Sequence, residues 1–148
     1  MLELKNISKM AGGEYHIYPT DLTLQRGSLN VLLGPTLSGK TSLMRLMAGL
    51  DKPTSGTIHV DGVDVTGQPV QQRNVAMVYQ QFINYPALTV YENIASPMRI
   101  AGKDAATIDR EVHKASELLR LTPYLQRTPL SLSGGQQQRT AADRHVRS

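Results

Sequence analysis

Apolar and polar residues alternate through the first thirty positions. Leu2, Leu4 and Ile7, then His16-Ile17-Tyr18, then Leu22 and Leu24 read as short strands, with turns at Gly12-Gly13 and Arg26-Gly27, so a small antiparallel sheet is predicted. Leu29-Asn30-Val31-Leu32-Leu33 is a nearly continuous apolar run of strand length, the pattern of a parallel strand covered on both faces, and it runs into Gly34-Pro35. From Lys40, the residues Leu43, Leu46, Met47 and Leu50 share one helical face, and the helix is predicted to stop near Asp51-Lys52-Pro53. Thr57 to Val60 is predicted to be a strand closed by Asp61-Gly62, and Val75-Ala76-Met77-Val78-Tyr79 a second buried one. After Tyr85-Pro86 the pattern turns helical. Thr89 and Glu92 form a capping-box pair, and Ile108, Val112, Ala115, Leu118 and Leu119 mark an amphipathic helix. No internal repeat or long polar linker separates the halves, so the helical part is expected to be a subdomain inserted in one domain.

Composition narrows this picture in three ways. The length of 148 residues suits a single domain. The absence of cysteine excludes a disulfide scaffold, a thiolate zinc site and a cysteine nucleophile. No apolar run approaches the roughly 18 residues of a membrane span, and Met1-Leu2-Glu3-Leu4-Lys5 lacks the apolar stretch of a secretory signal, so a membrane role is expected to need a partner protein. The formal charge of +4 is spread along the chain, without a basic cluster interleaved with aromatics, and no nucleic-acid partner is expected. His16, His59 and His113 are scattered without metal-ligand spacing.

The chemistry is concentrated in two glycine clusters. Gly34-Pro35-Thr36-Leu37-Ser38-Gly39-Lys40-Thr41 satisfies G-x-x-x-x-G-K-[ST] between a predicted strand and a predicted helix. Glycines there let successive backbone N–H groups turn inward as an anion nest, and the helix that follows adds its positive end. Lys40 is expected to bridge the outer phosphates of a nucleotide, and the Thr41 hydroxyl to ligate the magnesium that spans them; Ser42 is read as part of the first helical turn. The second cluster, Leu132-Ser133-Gly134-Gly135-Gln136, pairs Ser133 with Gln136 as another capping box at a helix start. Backbone donors and a positive dipole at Ser133, Gly134, Gly135 and Gln136 offer a second place for a terminal phosphate. Two such sites in one chain suit a head-to-tail pair in which each nucleotide lies between one chain's phosphate loop and the other chain's serine-glycine helix.

Leu132-Ser133-Gly134-Gly135-Gln136 is similar to the signature of the nucleotide-binding subunits of ABC transporters, and the resemblance extends from residue 2 to about 141. Val78-Tyr79-Gln80-Gln81 resembles that family's glutamine loop. The resemblance implies that Gln80, with Gln81 as second choice, touches the magnesium or the attacking water and senses the membrane subunit. Residues 34–42 and 79–93 resemble the subunits of carbohydrate and polyol importers, glycerol importers among them. The fold so implied is α/β, a P-loop NTPase of ABC type with an antiparallel β subdomain, a helical subdomain over about 86–138 and an incomplete core sheet. The function implied is ATP-binding energy coupling with Mg2+, at the cytoplasmic face of the inner membrane. The implied partners are a second nucleotide-binding subunit, transmembrane permease subunits and, indirectly, a periplasmic binding protein. Two rival readings are a nucleotide-binding fragment with no transport role and an ABC-type ATPase acting on nucleic acid, the latter opposed by the absence of a long coiled-coil insertion between the two clusters.

The chain departs from the family pattern at two places. The aromatic ring that stacks on adenine in the family falls here on Ala11, which leaves Tyr15, or secondarily Tyr18, to supply it. The family also continues past its signature into a buried strand closing on Asp-Glu and later into a switch histidine. Neither is present, so the chain is expected to bind ATP but to hydrolyse it only at background, its core sheet is expected to leave apolar faces uncovered, and residues 142–148 are read as a non-native tail on a partial domain of 1–141.

Overall fold

The computed structural model describes residues 1–81 and 83–146, with side chains described through residue 144. Phe82 and residues 147–148, the last two of the expected tail, lie outside the described residues. The chain forms two compact units, 1–75 and 76–148.

In the first unit, the alternating amino-terminal segment forms two long strands, β1 (Leu2–Ala11) and β2 (Glu14–Leu24), where shorter pieces were predicted. Irregularities in the register, between Leu4 and Ile7 and again near Lys9, absorb the breaks in the apolar pattern without ending the strands. With β3 (Ser55–Val60) and β4 (Val63–Asp64) they make an antiparallel sheet of order β2-β1-β3-β4, in which Leu4 faces Leu22 on one side and Ile58 on the other. The Asp61-Gly62 turn between β3 and β4 has both residues at positive φ, 48° and 83°, the backbone such a two-residue hairpin requires.

Helix α1 (Lys40–Ala48) lays Leu43 and Leu46 against Leu4, Ile7, Ile17, Ile58 and Val65, forming the core of this unit. It ends earlier than predicted, because Gly49 at φ 78° returns its N–H to Leu46 while Leu50 bonds back to Arg45. Beyond it, Arg45 makes a two-pronged ion pair with Asp51, at 2.8 and 2.9 Å. Arg73, 5% exposed, donates to the carbonyls of Met47, Leu46, Thr66 and Val65, so the negative end of α1 helps hold a guanidinium that burial pulls below its ordinary pKa.

The parallel core strand predicted at 29–33 and the buried strand predicted at 75–79 do not form, a correction to the sequence reading. Residues 29–33 run without a ladder partner among the described residues, and Leu29, Val31 and Leu33 are 94, 73 and 85% exposed. Val75 and Val78 are exposed as well. A parallel strand needs at least one neighbouring strand to take its N–H and C=O groups, and no such neighbour is found among the described residues.

The second unit is helical. Helix α2 (Val90–Ile100) begins at Thr89, whose hydroxyl accepts from the Glu92 N–H at 3.1 Å, one half of the expected capping pair, while the Glu92 carboxylate pairs with Arg99. Pro97 interrupts α2 mildly, since the Asn93 carbonyl that loses its usual donor accepts the Ser96 hydroxyl at 3.0 Å. Helix α3 (Ala105–Leu118) is capped by Asp104 and buries Ile108, Val112 and Ala115, while Leu118 stays 83% exposed. Val90, Ile94, Met98, Leu121, Leu125 and Leu132 complete the core with these residues. Helix α4 (Gly134–Val146) packs against α2 and continues unbroken through 142–146.

Candidate functional site

Residues 34–42 follow the segment 29–33, turn tightly and enter α1. The turn places the Ser38 N–H on the Pro35 carbonyl at 3.3 Å, with Leu37 and Gly39 both left-handed at φ 68° and 85°. Leu37 is a non-glycine residue in this region and is fully open to solvent, the kind of strained backbone that persists where a loop's shape is fixed by its surroundings. Gly39 is required twice over: a Cβ there would lie 2.7 Å from Ile17 Cδ1 and 2.8 Å from the His16 carbonyl oxygen, besides adopting a disfavoured φ. The glycine thus lets the loop lie directly against β2.

Lys40 folds back over the loop. Its ammonium donates to the carbonyl oxygens of Gly34, at 2.7 Å, and Pro35, and to Ser38 Oγ at 3.3 Å. The first turn of α1 carries neither an acidic residue nor a side-chain cap, so the positive end of the helix is not neutralised locally. A cation, an uncapped helix start and two left-handed residues converge on one concavity, which has the donor set for a polyphosphate. Thr41 is exposed beside it and Ser42 is half-buried in the first turn. The loop opens on a groove of about 390 Å³ whose other wall is His16, Ile17, Tyr18 and Thr20 of β2.

Of the two tyrosines, Tyr18 lines this groove and Tyr15 does not. The rings stack on each other, centroids 5.0 Å apart and planes within 25°, and they are 70% and 44% exposed respectively. Ala11 lies at the end of β1, exposed and paired with Glu14.

The remaining candidates lie in the second unit. Gln80 and Gln81 are exposed on a bend. At the start of α4 both halves of the capping box form: Gln136 Oε1 accepts from the Ser133 N–H at 2.9 Å, and Ser133 Oγ accepts from the Gln136 N–H at 3.4 Å. A Cβ at Gly135 would meet only Arg139 Nη1, at 3.5 Å, so packing within the chain does not require glycine there. Gly134 and Gly135 are exposed and no acidic residue occupies this first turn either.

Sequence reasoning missed three polar residues that organise these segments. Asn93, fully buried, accepts from the Tyr85 N–H at 2.7 Å and donates to the carbonyls of Tyr85, Leu88 and Thr89. A polar residue on the inner face of a helix just after its cap was the available signal. Arg73 and Arg144, which donates to the Ile83 carbonyl at 2.7 Å, carry no pattern that separates them from surface arginines.

The family model described as ABC transporter matches residues 17–146, a span that includes both glycine clusters. The alpha-glucoside transport ATP-binding protein AglK of Rhizobium meliloti is 44% identical over 145 residues, covering 98% of this chain and 40% of that protein. The Fe(3+) ions import ATP-binding protein FbpC of Photobacterium profundum is 43% identical over 141 residues, covering 95% and 40%. Among solved structures, the dimeric post-hydrolysis state of the ATP-binding cassette MJ0796 bound to ADP and Pi matches with a TM-score of 0.86 and 28% identity, over 99% of this chain and 69% of that one. The chain therefore spans about 40% of the length of these curated relatives. The family model covers most of the chain, the cassette fold is shared, and on these grounds the chain belongs to the ABC transporter family.

Proposed function

We propose that this chain is the ATP-binding, energy-coupling part of an ABC importer. The observation that carries the reading is the loop 34–42, where Lys40, two left-handed residues and an uncapped helix start face one groove. The loop's N–H groups hold the phosphates and Lys40 exchanges its contacts with Gly34 and Pro35 for the outer phosphate oxygens. Thr41 and Gln80 are the side chains that would hold magnesium, which would supply neutralisation of phosphate charge, and Gln80 would in addition be the residue next to the water in a chain that hydrolyses ATP only at background. Tyr18, with Tyr15 stacked behind it, is the platform for the base, since it lines the groove that the phosphate loop enters.

Ser133, Gly134, Gly135 and Gln136 serve a second nucleotide-binding subunit and face its terminal phosphate. Glycine at 135, which intrachain packing does not require, suits a surface that must admit a phosphate closely. No helix among the described residues is long and apolar enough to cross a membrane, and the reading assigns translocation to permease subunits and capture of cargo to a periplasmic binding protein, with this chain peripheral to the cytoplasmic face of the inner membrane. A sugar or polyol cargo, glycerol among them, is supported by the resemblance of residues 34–42 and 79–93 and by the alpha-glucoside relative. The iron relative at nearly the same identity argues that cargo is selected by the other subunits.

Calorimetric titration with Mg-ATP tests the reading. The chain is expected to bind, and Lys40→Ala to weaken binding at least tenfold, about 1.4 kcal/mol. Equal affinity in a folded Lys40→Ala chain overturns the assignment of the loop.

A further inference from the structure

We propose that Thr20 is a positioning residue for the base of the nucleotide: its hydroxyl fixes the backbone of Tyr18 at a break in β2 and so keeps the Tyr15–Tyr18 pair set in the groove wall before a nucleotide arrives. The inference rests on the reading of Tyr18 as the base platform and of residues 34–42 as the phosphate loop. β2 lies at the edge of the sheet, and its pairing with β1 is broken twice along this stretch. Met10 faces Tyr15 and Lys9 faces Ile17, so one extra residue of β2 is accommodated at His16. Ile7 in turn faces Thr20, so a second extra residue is accommodated at Tyr18-Pro19.

The first break brings the rings together. Residues three apart on a regular strand point to opposite faces, which would put the sheet between Tyr15 and Tyr18. The extra residue at His16 restores the parity, and the rings stack with centroids 5.0 Å apart. The second break leaves Tyr18 between the paired positions, and its two successors fix it instead. Pro19 restricts the residue before it to extended backbone and gives up an N–H that an edge strand can spare. Thr20 Oγ1 donates to the Tyr18 carbonyl at 2.6 Å, and its branched Cβ keeps the hydroxyl in that direction. Tyr18 and Thr20 stand in the same wall of the groove that Lys40 and the phosphate loop line from the other side. Tyr18 is 70% exposed in spite of the stack, so ring surface remains for a base. A ring fixed in advance loses little freedom when the base lands on it, and Thr20 contributes to affinity through Tyr18 in this way.

Two ligands separate the platform from the phosphate loop: Mg-ATP, and magnesium tripolyphosphate, which presents phosphates without a base. In calorimetry on the full chain, with tripolyphosphate followed by competition, Thr20→Val is expected to weaken Mg-ATP binding about fivefold and to leave tripolyphosphate unchanged. Tyr18→Ala is expected to show the same selective loss at about fivefold or more, and Thr20→Ser to restore most of the affinity. If Thr20→Val does not fold, Thr20→Ala takes its place. Equal losses for both ligands, or no loss for either in a folded variant, overturn the role of Thr20, and unchanged Mg-ATP affinity in Tyr18→Ala overturns the platform it serves. Near-ultraviolet circular dichroism reads the pair without any ligand: the signal of the stack, defined by its loss in Tyr15→Leu, is expected to diminish in Thr20→Val and to return in Thr20→Ser. Failure of the unmodified chain to bind either ligand overturns the proposed function instead; the dichroism then decides the positioning of Tyr18 alone, and an unchanged signal in Thr20→Val overturns it.

Discussion

The loop before α1 concentrates its constraints in Gly39 and Lys40. Gly39 combines a φ of 85° with backbone of β2 closer than any side chain tolerates. Gly39→Ala is therefore expected to destabilise the first unit by at least about 1–2 kcal/mol, the cost of the left-handed backbone before any clash is counted, seen as a lowered midpoint in thermal unfolding. A smaller effect belongs to Asp51, where the hydrogen bond from Arg45 outweighs partial burial and holds the carboxyl below its ordinary value. An acid with a depressed folded pKa contributes stability above its unfolded pKa of about 3.9 and loses it as pH falls through the folded value. Acid unfolding followed by circular dichroism should show that Asp51→Asn removes a contribution that is present at neutral pH and declines once the pH falls below the ordinary carboxyl value of about 3.9. Because the pair is about one-third exposed, that contribution is expected to be under about 1 kcal/mol.

Among the elements, α2 shows how one buried amide organises a loop. Asn93 occupies four polar groups of residues 85–89, and Thr89 caps the same helix. Asn93→Ala leaves buried donors and acceptors without partners, and about 1–3 kcal/mol of stability is expected to be lost in denaturant titration. Thr89→Ala, which removes one exposed-end cap, should cost about 1 kcal/mol. If the two costs came out reversed, the loop 85–89 would be held by its packing and not by Asn93.

At the scale of the whole molecule, two features matter: an apolar segment without a ladder and two glycine clusters in different units. Leu29 and Leu33 are almost fully exposed, so Leu29→Ser with Leu33→Ser should change stability by less than about 0.5 kcal/mol each while reducing binding of an apolar dye. The same pair in a covered strand would cost several times more, and a large loss would show that this segment is packed in solution. For the clusters, Gly135→Asp is expected to leave Mg-ATP affinity of the chain within twofold, in contrast to Lys40→Ala, if the start of α4 has the proposed role toward a second subunit. A parallel collapse of binding in both variants would place the two clusters on one nucleotide within one chain.

Local order set what could be read from the residues alone. The helical stripe of Leu43 and Leu46, the caps at Thr89 and Ser133 and the turn at Asp61-Gly62 that closes β3 depend on spacings of a few residues, and the structure shows each of them. Tertiary structure decided the rest. Whether 29–33 becomes a strand depends on partners distant in sequence, and among the described residues it finds none. Which tyrosine reaches the groove depends on the register and twist of β2, which carry Tyr18 and not Tyr15 to the phosphate loop. Arg73, Asn93 and Arg144 acquire their roles from carbonyls that folding brings to them, because a backbone acceptor leaves no mark in the identity of the residue that bears it.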